Sequence, residues 1–253
     1  MTVVEAHCTA VESDGRASCT CGWRSPQVLF DAAELAKWHR LSIGATIDNP
    51  LLTEFLAPVT EAERYYPLTG SEWMAMSVRR DRLVAEYAWA IPAEPVLHRL
   101  ADLSPICDLG CGTGYWASLL QKAGADVLAV DSHPPLQSKN HWHRAEGGVL
   151  RRPATIQHFV DVVLGDAETF EVPRSHTLML SWPPYNSSMA AVALARYRGE
   201  RVIYIGEEGG CTGDDAFHDA LHTQWREIAF YEIPQWPGLH DAVYVYERQG
   251  AAK

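Results

Sequence analysis

The amino-acid sequence predicts an α/β chain: a doubly wound, mostly parallel seven-stranded sheet with an antiparallel edge hairpin, preceded by helices and a small N-terminal ββα module. Three observations predict it. From Ser104 onward, apolar runs of strand length alternate with segments of helical period, which implies parallel strands covered on both faces. The last two strand-like runs follow one another with no helix between them. Upstream, a Cys-containing stretch and a Pro-punctuated, mostly helical stretch lack that alternation. The expected organisation is a module over 1–43, a helical lead-in and substrate cap over 44–103, and the α/β domain over 104–253.

Each element has a local justification. In the module, HCTAVESDGRASCTCGWRSP reads as two short strands around the Ser-Asp-Gly turn at 13–15, and DAAELAKWHRL as a helix with Asp31 as candidate N-cap. Pro50, Pro58, Pro67 and Pro92 break the helices of the lead-in. ICDLG then reads as a buried strand, YWASLLQKAG as a helix ended by Gly124, and DVLAVD as the second strand. VDVVLG, HTLMLSW and RVIYIGE are further strands, with SMAAVALARYR and DDAFHDALHTQ as helices. WREIAFYEIP and AVYVYER form the closing pair.

Composition narrows the function classes. The 253 residues are 47% hydrophobic with nine Trp and ten Tyr, which suits a packed chain and not a disordered one. There is no run of eighteen apolar residues, and Met1 to Arg16 lacks the basic start and apolar core of a secretion signal, so no membrane span is expected and the cytoplasm is the expected compartment. A net charge of -11 argues against a protein whose main work is gripping phosphate backbones. Arg79, Arg80 and Arg82 read as one solvated basic face, Arg151 and Arg152 as another. Six Cys point to thiols or metal ligands before disulfides. Cys8, Cys19, Cys21 and His39 would supply a tetrahedral set for structural zinc, since Cys19 and Cys21 share one face of a strand and a small module gains from a metal. Ordinary thiols on a docked hairpin are the alternative.

The segment DLGCGTG, Asp108 to Gly114, lies between a predicted strand and a predicted helix. Glycines there let backbone amides approach a ligand, and the helix offers its positive end. Asp131 closes the next strand, where a carboxylate can accept both hydroxyls of a ribose. Together they point to an adenosine-containing ligand.

With Gly110, Gly112 and Gly114 spaced Gly-x-Gly-x-Gly and Asp108 ending the strand before them, this segment resembles the first motif of class I S-adenosylmethionine-dependent methyltransferases, a Rossmann-like family. The resemblance covers roughly residues 85–248. It implies S-adenosylmethionine as cofactor, with Asp108 and the glycines at its methionine part, Asp131 at the ribose, and Asp166 with Ala167 at the adenine. The fourth strand ends in LSWPPYNSS. In the amino-methylating nucleic-acid enzymes of this superfamily, Asp, Asn or Ser precedes Pro-Pro-Tyr. Here Pro183, Pro184 and Tyr185 match, Trp182 stands in the polar position, and Ser181 lies one place earlier. GTGYW together with WPPY, and Tyr87, Trp89 and Pro92 before the first strand, resemble a poorly characterised subgroup. The resemblance implies methyl transfer to a planar small-molecule or nucleic-acid acceptor held by Tyr185. Glu207, His240 and Asp241, on loops after the later strands, are candidate bases. A cofactor-binding sensor or nucleic-acid-binding protein without turnover, and a nicotinamide-dependent oxidoreductase, are the alternatives.

Overall fold

The computed structural model describes residues 8–11, 17–19, 32–60, 72–134 and 157–250. The chain begins with an antiparallel pair, β1 (Cys8–Val11) and β2 (Ala17–Cys19), followed by helix α1 (Ala32–Ile43). The lead-in is helical: α2 (Pro50–Leu56), α3 (Glu72–Glu86) and α4 (Glu94–Ala101). Pro50 begins a helix instead of breaking one. Asn49 caps α2 by accepting the amide of Leu52 at 3.1 Å, and a proline in the first turn forfeits no helical hydrogen bond.

Strand and helix then alternate as expected: β3 (Ile106–Leu109), α5 (Tyr115–Lys122), β4 (Val127–Asp131), β5 (Val163–Leu164), β6 (Thr177–Ser181), α6 (Met189–Arg196), β7 (Arg201–Gly206) and α7 (Asp215–Gln224). The pair β8 (Trp225–Glu232) and β9 (Ala242–Arg248) closes the fold. These form a seven-stranded sheet in the order β5-β4-β3-β6-β7-β9-β8. The strands from β3 to β7 are mutually parallel, and β9 runs antiparallel to both β7 and β8. The Rossmann-like fold with its antiparallel edge pair is therefore as the sequence predicts. Strand order reverses at β3, so a crevice opens at the carboxyl ends of β3, β4 and β6.

Alternation along the strands sorts side chains between two buried layers. Ile106, Ala129, Met179, Ile203 and Val243 face a core shared with Leu35, Phe55, Leu83, Leu97 and Trp116, so the lead-in helices and the sheet bury one continuous apolar cluster. Cys107, Leu109, Val130, Leu178 and Tyr204 face the other way, against Leu194 and Phe217.

Two further expectations change. VDVVLG yields a strand of only two residues, with Val163 and Leu164 exposed, because it lies at the sheet edge with a neighbour on one side alone. The basic run on α3 is not a solvated face. Arg79 is buried and donates to the carbonyls of Glu54, Ala57 and Pro58, satisfying the end of α2. Arg82 pairs with Glu54 and with Glu86. The pair Arg151 and Arg152 lies outside the described residues.

Of the proposed zinc ligands, Cys21 and the side chain of Cys8 also lie outside the described residues. The Cα atoms of Cys8 and Cys19 are register partners, and both Cys19 and His39 are buried. Among the described residues no group of three His, Cys, Asp or Glu could hold a metal. Among them, too, no helix is long and apolar enough to cross a membrane.

Candidate functional site

A cavity of about 520 Å³ occupies the crevice, a size that suits a small ligand. It is lined by Leu109, Gly110 and Gly112 from the turn after β3, and by Asp131, Ser132 and His133 from the end of β4. Ser181, Trp182, Pro183, Pro184 and Tyr185 after β6 also line it, with Cys211, Leu239 and Met189, the last close against Gly110. Arg80 and Trp89 close it from the lead-in.

The glycine turn is built from backbone that only glycine adopts freely. Gly110 and Gly112 have φ of 82° and 56°. Most of its amides are already used. Gly110 N and Cys111 N donate to the carbonyl of Val130, and Gly112 N donates to Asp131 Oδ2 at 2.9 Å. The carboxylate of Asp131 thus fastens the turn to β4 while lining the cavity; its Oδ1 accepts the amide of His133 at 2.7 Å. Gly114 serves packing instead. It precedes α5 with φ 74°, and a Cβ there would meet Val160 Cγ2 at 2.6 Å. Neither Gly114 nor the first residues of α5 are among those lining the cavity.

Asp108 lies behind the turn, 1% exposed, and does not line the cavity. Burial, reinforced by the nearby charge of Asp131, pushes its carboxyl up to about 8. Among the described residues its Oδ1 has no hydrogen-bond partner. Asp166 is engaged elsewhere: its Oδ1 accepts the amides of Glu168 and Thr169 and the Thr169 hydroxyl, closing its own turn. Ala167 is buried in the second core. Neither lines the cavity, where Ser132 and His133 stand instead.

Ser181 to Tyr185 also line the cavity, and the tryptophan among them has a task of its own. Trp182 holds a left-handed φ of 53°, an unusual conformation for a bulky residue. Its indole donates to Asp241 Oδ1 at 2.9 Å and stacks on Trp89 with centroids 4.7 Å apart. Asp241 is fully buried, its Oδ2 has no partner among the described residues, and burial pushes its carboxyl up to about 7 against the opposing Trp182 hydrogen bond. The carbonyl of Pro183 accepts the amide of Gly213 at 2.8 Å. Tyr185 is 61% exposed at the cavity mouth.

None of the three candidate bases lines the cavity. Glu207 Oε1 meets His240 Nδ1 at 2.9 Å, and Oε2 accepts the amide of Cys211. Burial works to raise the Glu207 carboxyl, but these hydrogen bonds outweigh it and hold it below the usual range. The pair ties the loop after β7 to the loop before β9.

Trp89 is fixed by sites distant in sequence. Thr113 donates to the carbonyl of Tyr87, Trp236 to that of Trp89 at 3.0 Å, and Trp116 to that of Ala90 at 3.1 Å. Tyr115 donates to Asn49 Oδ1 and accepts the amide of Leu51. The residues of GTGYW therefore dock the lead-in onto the sheet. Sequence reasoning missed Arg80, Ser132, His133, Met189, Cys211 and Leu239. For buried Arg79 a signal did exist, since it falls three and four residues from Met76, Ala75 and Leu83 on the apolar face of α3. Arg80 has no such signal.

No family model matches the chain, and no curated protein matches it. Among solved structures it is similar to a magnesium protoporphyrin IX methyltransferase from Synechocystis PCC 6803 with bound S-adenosylhomocysteine, at 14% identity over 68% of this chain and 87% of that one, TM-score 0.42. It is also similar to the 1,6-didemethyltoxoflavin-N1-methyltransferase of Burkholderia thailandensis with its bound 1,6-didemethyltoxoflavin and S-adenosylhomocysteine, at 15% identity over 96% and 99% of the two chains, TM-score 0.43. Human N-acetylserotonin methyltransferase in complex with S-adenosylmethionine is 16% identical over 85% of this chain and 66% of that one, TM-score 0.40.

Proposed function

We propose that the chain is an S-adenosylmethionine-dependent methyltransferase acting on a planar aromatic acceptor. The observation that carries this reading is one cavity joining two chemistries: a glycine turn and a terminal carboxylate at the ends of adjacent strands, and an aromatic, Pro-Pro-Tyr wall facing them. The residues present fit the cofactor. Positive φ at Gly110 and Gly112 brings backbone without side chains to the cavity, and a Cβ on Gly110 would meet Met189 Cε at 2.8 Å. Asp131 presents a carboxylate, the partner that ribose hydroxyls require.

In this reading Gly110, Gly112 and Asp131 hold the cofactor, Asp108 stands behind them, and Ser132 and His133 border the adenosine end. Asp166 and Ala167 are left outside the set. The bound cofactor supplies a methyl group already activated by its sulfonium. The chain's work is positioning: Trp89 and Trp182 wall the acceptor, Pro183 and Pro184 stiffen the loop, Tyr185 closes the mouth, and together they exclude water. Ser181, which lines the cavity at the end of β6, offers a hydroxyl that can accept a hydrogen bond from a donor group on the acceptor.

Calorimetric titration with S-adenosylhomocysteine and NAD, followed by incubation with methyl-labelled S-adenosylmethionine and aromatic acceptors including nucleobases, tests the proposal. Binding of the homocysteine compound and label transfer to an acceptor are expected. NAD binding in its place would establish an oxidoreductase, and binding without transfer a sensor.

We also propose structural zinc on Cys8, Cys19, Cys21 and His39. Its support is the register pairing of Cys8 with Cys19 and the burial of Cys19 and His39.

A further inference from the structure

The cavity contains a cation for which the proposed cofactor set has no use. Among the described residues lining it, Arg80 is the one permanent positive charge. Its guanidinium lies over two indoles, 5.3 Å from the Trp89 ring centroid and 5.8 Å from that of Trp182. Among the described residues its buried Nε has no hydrogen-bond partner and its guanidinium joins no ion pair. Two carboxylates act on it through space, Asp81 and Asp241. Neither is placed to neutralise it by contact, and Asp241 spends Oδ1 on Trp182. Partial burial pulls the pKa of Arg80 down, against the opposing pull of Asp81 and Asp241. Such a charge is costly unless a partner ion and hydrogen bonds replace the lost hydration. Indole faces replace part of it. They do not satisfy the N–H groups, which suit an oxyanion in a planar, forked geometry.

We propose that Arg80 binds an anionic group, a carboxylate or comparable oxyanion, carried by the planar aromatic acceptor, and thereby sets the substrate class. That the anion is carried by a methyl acceptor rests on the methyltransferase reading; the anion site does not. A carboxylate could also come from the cofactor's own amino-acid end. The surroundings of Arg80 favour the acceptor: Trp182, Asp241 and Cys211 belong to the loops after β6, β8 and β7, whereas Gly110, Gly112 and Asp131 follow β3 and β4. The stacked indoles beside the guanidinium favour a flat ring attached to the anion.

The test uses 2-naphthoate and its neutral isostere 2-naphthamide, titrated into the whole chain without cofactor and followed by tryptophan fluorescence, since Trp89 and Trp182 line the cavity. Naphthoate should bind at least about tenfold tighter than naphthamide. Arg80→Gln should abolish that preference while leaving naphthamide affinity within about twofold, and Arg80→Lys should retain part of it. Equal binding of the two probes to the unmodified chain, or binding of neither, would overturn the proposal without any variant. A second arm compares S-adenosylhomocysteine with 5′-methylthioadenosine, which lacks the carboxylate. If Arg80→Gln reduces the first to the level of the second and spares naphthoate, Arg80 serves the cofactor and the proposal is wrong. If neither adenosine compound binds while the naphthoate preference holds, the anion site stands and the methyltransferase reading falls.

Discussion

At the scale of single residues, the site is held by a few polar atoms in a largely apolar wall. Trp182 keeps its left-handed backbone while its indole donates to the buried carboxyl of Asp241. That carboxyl gives the fold a pH signature. Its folded pKa is raised to about 7, and that of Asp108 to about 8. Between the ordinary carboxyl range and those values, the native state therefore keeps protons that the unfolded chain has lost. Their contribution to stability is greatest below that window and declines as pH rises through it. Thermal unfolding should occur at a lower temperature at pH 8 than at pH 5. Asp241→Asn keeps an acceptor for the indole and removes one titration, so the drop should shrink; an unchanged drop would show that Asp241 is not among its causes. Tyr185, being mostly exposed, makes a different prediction. Tyr185→Ala should leave the melting temperature within about 1 °C, a surface effect, while sharply lowering methyl transfer and sparing S-adenosylhomocysteine affinity. Equal losses in both would remove Tyr185 from the acceptor side.

At the scale of elements, the turn after β3 does two jobs. Gly110 and Gly112 shape the cavity; Gly114, Thr113, Tyr115 and Trp116 bind the lead-in. Tyr115→Phe deletes a buried hydroxyl that both donates to Asn49 and accepts from Leu51, so denaturant titration should show a loss of about 1–3 kcal/mol. Gly114→Ala combines positive φ with a Cβ driven onto Val160, for which a cost of about 1–3 kcal/mol is expected before repacking. A loss of cofactor affinity larger than the loss of stability in Gly114→Ala would mean that this glycine meets ligand after all.

At the scale of the whole molecule, lead-in and sheet share one buried cluster, so a ligand in the cavity between them should stabilise both together. S-adenosylhomocysteine at a hundred times its Kd should add about 2.7 kcal/mol to the unfolding free energy in a single transition. Asp131→Ala should weaken that binding by about 1–3 kcal/mol, through unpaired hydroxyls and a loosened turn. The N-terminal hairpin is expected to carry one zinc per chain by elemental analysis, lost in Cys19→Ser or Cys21→Ser with cofactor affinity retained. A zinc-free chain purified without chelator would make these residues ordinary thiols.

Sequence by itself determined the order and kind of the elements from Ile106 to Arg248, the glycine turn, and the placement of Asp131 and the Pro-Pro-Tyr loop at one edge of the sheet. Those features follow from local periodicity, from glycine's backbone freedom, and from the rule that parallel strands end together. Tertiary structure decided what depends on segments far apart meeting through space. It turned a basic run into a helix-end clamp at Arg79 and a cavity-lining cation at Arg80 that pairs with none of the described residues. It spent Asp166 on its own turn, covered Gly114 with Val160, and gave Trp182 an acid, Asp241, 59 residues away. A side chain's burial and partners are set by every segment packed against it, and no window of neighbouring residues contains that information.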